Sequence, residues 1–216
     1  MLAEGASNGT NSQGTDAPFV LLNHSKVTNI KFIKIGHKDR PAIVENIPTL
    51  GTDWIVILHR FDGSVNFSPY LRYSVGDLFG EFWIGLESIH KLTSSVRHEL
   101  YIQLEDLDGV TAYARYDNFV VGNSRESYAL KSLGAYSGNA GDALRSHLNS
   151  KMELKVINEN KACYWWFSSN NECCLTGYYK KSKEALDEVG MYWGNWYLGK
   201  RYPLKACKML IRPYSK

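Results

Sequence analysis

The chain has 216 residues, enough for one large domain or two small ones with a sizeable apolar core. Its 25 basic and 22 acidic side chains give a net charge of +3, a balance that argues against a nucleic-acid-binding surface. No apolar stretch approaches the roughly 20 residues that a membrane-spanning helix needs. We therefore expect a globular protein that neither binds nucleic acid nor spans a membrane.

The N-terminal segment 1–17 is rich in Gly, Ser, Asn and Thr and is predicted to be flexible. It lacks the apolar centre of a signal peptide, so we expect the leader of a secreted form to lie outside this sequence. Tripeptides starting at Asn8, Asn23 and Asn66 fit the N-glycosylation pattern. Such triplets are frequent by chance, and they favour secretion only slightly.

Short β-type runs broken by polar residues fill 19–47, and the apolar run 54–58 predicts a buried strand that ends at a turn. The segments 70–76 and 86–93 are predicted to be short helices. In 98–106, Leu100, Ile102 and Leu104 alternate with polar residues, a period of two that predicts a half-buried strand. After a turn at Asp108-Gly109, segment 111–119 is the predicted antiparallel partner of this strand.

All four cysteines lie in the last third of the chain, which is otherwise rich in aromatic residues, Gly and Asn. They are Cys163, Cys173, Cys174 and Cys207. No C-x-x-C pattern supports a zinc ribbon or a redox site. The adjacent Cys173 and Cys174 are not expected to bridge each other. At most two disulfides can form, and the pairing stays open.

Motifs for catalysis are missing from the sequence. The six histidines are scattered without metal-ligand spacing, and there is neither a G-x-S-x-G turn nor a phosphate-binding glycine loop. Glu105 and Asp106 resemble an acidic pair, but neighbouring residues of a strand point to opposite faces. We expect a protein that is not an enzyme.

A set of motifs resembles the C-terminal domain family of fibrinogen. Segment 80–85, G-E-F-W-I-G, is similar to the G-E-F-W-L-G signature of that family. Other segments match in the same order and spacing: W-I-V-I at 54–57, D-G-S-V-N-F at 62–67, Y-S-G-N-A-G-D at 136–142, W-W-F at 165–167 and I-R-P at 211–213. The resemblance covers residues 51–213.

This resemblance implies an α+β fold with a central twisted antiparallel sheet, short helices and a loop-rich C-terminal binding subdomain. The implied domain covers 18–213. It divides into a small, weakly matched N-terminal subdomain at 18–50, a central sheet subdomain at 51–142 and the binding subdomain at 143–213. The family binds ligands and partners, and its members include lectins, growth-factor-like ligands and clotting proteins.

The sequence departs from this family at two places that concern cross-links and metal. Family members usually carry a disulfide in the first subdomain, whereas no cysteine precedes Cys163 here. The aspartates of the family's calcium loop fall on Val156, Asn158 and Asn160, which offer no charged oxygen. We therefore expect no cofactor, because the calcium site of the family has been lost.

The ligand pocket of the family's lectins is also altered. Asn170 and Asn171 stand where those lectins place a Cys-His step, and Lys161 replaces a tyrosine ahead of the tryptophan pair. Aromatic rings can lie against a sugar or an acetyl methyl group, and amides both donate and accept hydrogen bonds. Packing in the core is the alternative role for the tryptophan pair and Tyr178. The predicted ligand contacts are Trp166, Phe167, Asn170, Asn171, Tyr178, Tyr192 and Trp193.

Two functions remain open at this point. The first is an extracellular, lectin-like recognition domain that binds carbohydrate or acetylated surface ligands, with a role in innate immunity. The second is a growth-factor-like or structural domain that binds an extracellular protein and whose sugar and calcium sites have decayed. The resemblance supports the first, and the altered pocket and calcium loop favour the second.

Overall fold

The computed structural model describes residues 29–67, 71–170, 172–184, 189–194, 196 and 202–215. The predicted flexible segment 1–17 and the start of the predicted N-terminal subdomain lie outside these ranges. Along the described residues the chain forms short strands, one α-helix and two 3-10 helices. In chain order they are β1 (Ile30–Ile35), β2 (Lys38–Ile47), β3 (Gly51–Arg60), β4 (Val75–Gly76), β5 (Phe82–Trp83), α1 (Leu86–Ser95), β6 (His98–Asp106), β7 (Thr111–Val121), a 3-10 helix (Ser124–Glu126), β8 (Leu130–Ser132), β9 (Tyr136–Gly138), a second 3-10 helix (Ala143–His147), β10 (Met152–Asn158), β11 (Lys161–Trp166), β12 (Cys173–Cys174), β13 (Tyr192–Trp193) and β14 (Leu204–Pro213).

One large antiparallel sheet organises the molecule. Its strand order is β1-β2-β3-β14-β6-β7-β8, with β5 pairing to β3 and β4, and β9 pairing to β7. β10-β11 and β12-β13 form two small sheets outside it. The last strand, β14, falls within the predicted binding subdomain at 143–213, but it lies between β3 and β6 at the centre of the large sheet. A mostly antiparallel sheet with short helices confirms the predicted α+β fold.

The predicted hairpin is confirmed, because β6 pairs with β7 and Leu104 lies opposite Ala112. The prediction that β6 is only half-buried is wrong, since every one of its residues is buried. On the face with the polar residues, Glu99 accepts hydrogen bonds from Arg115 and Arg212 at 2.7 and 2.6 Å. Neighbouring strands cover that face with ion pairs, which an alternating pattern in one strand does not reveal.

One of the two predicted helices is confirmed. Segment 86–93 lies in α1, whose buried residues Leu86, Ile89 and Leu92 recur at helical spacing. Segment 70–76 is not helical in its described part, which forms a turn and the short strand β4. Gly76 has a φ of 87° there, and a Cβ would lie 2.1 Å from the Glu81 carbonyl oxygen. No helix in the described ranges has the length and apolar character needed to cross a bilayer.

A buried ion pair joins the central sheet to the C-terminal part of the chain. The Glu81 carboxylate accepts backbone N–H groups of loop 61–65, from Phe61 at 2.7 Å and Val65 at 3.1 Å among others. Arg60 lies with its Nε 3.6 Å from Glu81 and is equally buried. Its guanidinium donates to the carbonyl of Gly177 at 2.9 Å. The pair therefore fixes the C-terminal segment against the end of β3.

Candidate functional site

A β-hairpin carries the tryptophan pair into the core. β10 and β11 pair antiparallel, with Leu154 opposite Tyr164. Trp165 and Trp166 are fully buried, and their rings meet edge to face at a centroid distance of 5.0 Å. The indole N–H of Trp166 donates to the carbonyl of Tyr128 at 2.8 Å. Both indoles therefore pack in the core, the alternative role that the sequence left open for them.

Three more of the predicted contact residues are also buried. Tyr192 lies in β13 opposite Cys174, and its neighbour Trp193 donates its indole N–H to the carbonyl of Gly141 at 3.0 Å. Phe167 follows β11 and is buried too. Because their side chains are covered by protein, a ligand at the surface reaches little of them.

Asn170 and Tyr178 are the predicted contacts that retain accessible surface. Asn170 is exposed, and Tyr178 is half-buried beside the bridge that it forms with Gly190. Asn171 lies outside the described residues. The structure thus divides those of the predicted contacts that it describes between the interior of the C-terminal region and its surface.

Two lysines that the sequence analysis did not select sit over aromatic rings in this region. The ammonium of Lys155 lies 4.3 Å from the ring centroid of Phe167, and that of Lys161 lies 5.2 Å from that of Tyr178. Cation–π contacts of this kind hold the rings in place and add positive charge at the surface. The hairpin register alone does not predict these contacts, because Lys155 lies opposite Cys163, Phe167 follows β11 and Tyr178 lies outside the hairpin.

The same hairpin exposes a group of apolar side chains. Leu154, Val156 and Ile157 are all exposed, and we name them the hairpin strip. Leu154 and Val156 occupy alternate positions of β10, so they share one face with the half-buried Tyr164 on β11. Clustered exposed apolar side chains mark interaction surfaces more often than isolated ones do.

The segment matched to the family's calcium loop forms β10 and the turn after it. Val156 is a strand residue, and the amide oxygen of Asn158 accepts the backbone N–H of Asn160 at 3.0 Å. Among the residues that the structure describes, no group of three or more His, Cys, Asp or Glu side chains could hold a metal ion. The loss of calcium binding stays a prediction.

A disulfide ties the hairpin to the segment after it. Cys163 in β11 bonds to Cys174 in β12, and the adjacent Cys173 and Cys174 do not bridge each other, as expected. Cys173 and Cys207 are free thiols without solvent exposure. Burial raises the pKa of both thiols, that of Cys207 to about 12, so neither forms a reactive thiolate near neutral pH.

His147 is buried, and its two ring nitrogens link two segments of the C-terminal region. Its Nδ1 hydrogen-bonds to the carbonyl of Trp166, and its Nε2 accepts the backbone N–H of Cys173 at 3.2 Å. This arrangement requires a neutral ring with the proton on Nδ1. Burial lowers the pKa of His147, although the hydrogen bond to Trp166 opposes that shift. The ring fastens the tryptophan pair to the disulfide segment.

Comparison with known proteins agrees with this architecture. A family model described as "Fibrinogen beta and gamma chains, C-terminal globular domain" matches residues 20–214. Fibrinogen C domain-containing protein 1-B of Xenopus laevis is 36% identical over 184 residues, which cover 78% of this chain and 40% of that relative. The chain therefore spans about two fifths of the length of this curated relative.

Solved structures show the same fold. The fibrinogen-like globe domain of human ANGPTL6 matches with a TM-score of 0.75 and 31% identity, covering 87% of this chain and 90% of that one. Lamprey fibrin D-dimer, complexed with the peptide ligand Gly-His-Arg-Pro-amide, matches with a TM-score of 0.70 and 25% identity. That match covers 89% of this chain and 72% of the lamprey chain.

Proposed function

The chain belongs to the family of fibrinogen C-terminal globular domains, and we propose that it is a non-enzymatic extracellular recognition domain that binds a protein ligand through its C-terminal region. Domains of this family are generally not enzymes. A relative of the same fold, lamprey fibrin D-dimer, holds a peptide ligand. The Cys163–Cys174 disulfide is typical of proteins that work in oxidising compartments, which supports the extracellular setting.

The observation that carries the proposal is the hairpin strip. Five of the seven predicted contacts are buried or lie outside the described residues, whereas Leu154, Val156 and Ile157 present apolar surface to solvent. Protein interfaces bury apolar side chains at their centre and surround them with polar groups. The exposed Asn158, at the end of β10 next to the strip, fits such a polar rim.

A matched pair of valine variants tests this surface. Val156 and Val110 are similarly exposed, at 58% and 52%, but Val110 lies in the turn between β6 and β7 and is not part of the hairpin strip. We expect Val156→Ser to weaken capture of extracellular protein partners by about tenfold in quantitative pull-downs, and Val110→Ser to leave it unchanged. Equal capture by both variants would show that the partner docks elsewhere.

Lectin-like binding is the second candidate, because Tyr178 and Asn170 remain accessible. A half-buried ring such as that of Tyr178 is suited to stacking on a sugar or an acetyl group, and an exposed amide such as that of Asn170 can donate a hydrogen bond. The Lys161 ammonium adds a positive charge at 5.2 Å from the ring of Tyr178, which favours acidic sugars. Binding of microbial surface sugars would place the protein in innate immunity.

A glycan array separates this candidate from the first. If sugar is the ligand, Tyr178→Ala should abolish the array signal, whereas Phe32→Ala, at an exposed aromatic residue on β1, should retain it. A wild-type protein that captures protein partners and gives no array signal supports the protein-binding proposal instead.

A further inference from the structure

A basic cleft lies at the β1–β2 edge of the large sheet, and the proposed function does not use it. It has a volume of about 590 Å³ and lies between the β1–β2 hairpin, segment 72–79 and α1. Ligand pockets in proteins have volumes of about 300–1,000 Å³, so this one is large enough for the side chains of two or three residues. Six residues define its chemistry: Lys38, Arg40, Arg72, Tyr73, Phe79 and Lys91.

The base of the cleft is held in place by close backbone packing. Phe82 and Ile84 line it and are buried, so they present a fixed apolar surface. Gly85 has a φ of 93°, and a Cβ there would lie 2.6 Å from the carbonyl carbon of Tyr73. The backbone of Tyr73 is therefore packed against the start of α1, which keeps the rim of the cleft in position.

The charge of the cleft is positive after its own acidic groups are counted. The lining contains four cationic side chains and two carboxylates, Asp77 and Glu87. Glu87 accepts a hydrogen bond from the Tyr128 hydroxyl at 2.8 Å and pairs with Lys91 at 3.2 Å. Asp77 accepts the backbone N–H of Phe79 at 2.7 Å. Both carboxylates are thus already engaged within the protein.

Two of the cations have no such engagement. The exposed side chains of Lys38 and Arg40 form no hydrogen bond or ion pair with any residue that the structure describes. They occupy alternate positions of β2, opposite Ile35 and Ile33 of β1, so both project from the same face of the hairpin. Guanidinium groups bind carboxylates through paired hydrogen bonds, which makes an anionic ligand the natural complement.

The aromatic residues at the rim of the cleft indicate which kind of anionic ligand it can bind. Tyr73 and Phe79 are largely exposed, and together with the apolar base they can cover an aliphatic or aromatic group. The base formed by Phe82 and Ile84 is apolar and suits the side chain of a peptide better than the hydroxyl groups of a sulfated glycan, which would lose their hydrogen bonds to water there. We propose that the basic cleft is a second binding site for a short acidic peptide segment that places an apolar side chain between its carboxylates.

Fluorescence anisotropy with a labelled, amidated Glu-Phe-Glu-Leu-Glu peptide tests the charge requirement. Arg40→Glu should weaken binding by about tenfold, because it replaces an attractive contact with a repulsive one. Lys34→Glu is the matched control, since Lys34 lies on the same hairpin but is not part of the cleft lining. Lys38→Glu repeats the test at a second position. A melting curve on each variant confirms that it folds.

Phe79→Ser tests the apolar requirement against Phe32→Ser, because the two rings are exposed to similar extents of 67% and 75% and only Phe79 lines the cleft. We expect only Phe79→Ser to weaken binding of the peptide. Equal losses in Arg40→Glu and Lys34→Glu, or equal binding of the neutral peptide Gln-Phe-Gln-Leu-Gln, would overturn the proposal. So would a heparin-derived oligosaccharide or pentaglutamate that binds as tightly as the mixed peptide.

Discussion

Among single residues, Glu81 makes a contribution to stability that can be measured directly. Its buried carboxylate accepts backbone N–H groups of loop 61–65 and neutralises the buried Arg60. Glu81→Gln keeps the shape but leaves Arg60 without a counter-charge, so we expect the free energy of unfolding to fall by about 3 kcal/mol or more. Urea unfolding measures this. Glu184→Gln, at an exposed ion pair, should change it by less than about 1 kcal/mol.

His147 makes stability depend on pH in a defined direction. Burial lowers the pKa of His147, and the same cause lowers that of His98, so the unfolded chain takes up protons before the folded one does. The contribution of the two neutral rings to the free energy of unfolding should therefore be fully present above pH of about 6.5. It should fall as the pH drops below that value, by at most about 1.4 kcal/mol per pH unit for each ring.

Two variants test whether His147 causes this dependence of the free energy of unfolding on pH. His147→Gln keeps one donor and one acceptor but does not titrate, so its stability should fall less steeply between neutral pH and pH of about 5. His37→Gln, in the exposed turn between β1 and β2, should retain the wild-type slope. Urea midpoints measured across this range check both, and a His147→Gln slope equal to that of the wild type would contradict the assignment.

Residue roles differ in how far the sequence reveals them. The core position of Trp83 follows from its size and motif, and the structure buries it with its indole N–H donating to the carbonyl of Leu71 at 2.7 Å. The role of Glu81 does not follow, because it depends on how loop 61–65 aims its N–H groups some twenty residues earlier in the chain. Polar residues act through such long-range geometry, and local patterns do not contain it.

For the elements, the hairpin of β10 and β11 leads to a prediction about calcium. Val156 offers no side-chain oxygen, and Asn158 already accepts the N–H of Asn160. Calcium binds carboxylate-rich sites because it prefers hard, charged oxygen ligands. Titration calorimetry at millimolar calcium should therefore show no binding heat, and EDTA should leave the melting temperature unchanged. An ion held by Asn158 and nearby carbonyl groups would show that backbone oxygens suffice.

Predictability also varies between elements. The pairing of β6 with β7 follows from two alternating segments joined by a tight turn, which are local signals. The helix predicted at 70–76 fails because Gly76 pairs with Phe82 at a positive φ, a contact set by β5 rather than by the segment itself. Likewise, the ligand contacts in the C-terminal part of the chain rest on resemblance alone and stay a prediction, and the burial of Tyr192 depends on strands that no local pattern indicates.

At the scale of the whole molecule, β14 places the C-terminal end of the chain at the centre of the large sheet. It pairs with β3 on one side and β6 on the other, although these partners lie about one hundred or more positions earlier in the chain. The sequence analysis predicts no strand in 204–213, and the neighbours of β14 are chosen by the arrangement of the entire sheet. The C-terminal region between β9 and β14 therefore starts and ends at strands of the large sheet.

The disulfide within this region leads to the last prediction. Cys163 and Cys174 are separated by 11 positions, and closing a loop of this length stabilises the folded state by about 3 kcal/mol. A mild reductant should lower the free energy of unfolding of the wild type by about that amount and should not affect a Cys163→Ala/Cys174→Ala variant. A thiol reagent should label no cysteine in the native protein, because Cys173 and Cys207 are buried, and two in the unfolded, unreduced chain. Protein isolated from its native source with all four thiols free would contradict both the cross-link and the extracellular setting, since disulfides persist where the surroundings are oxidising.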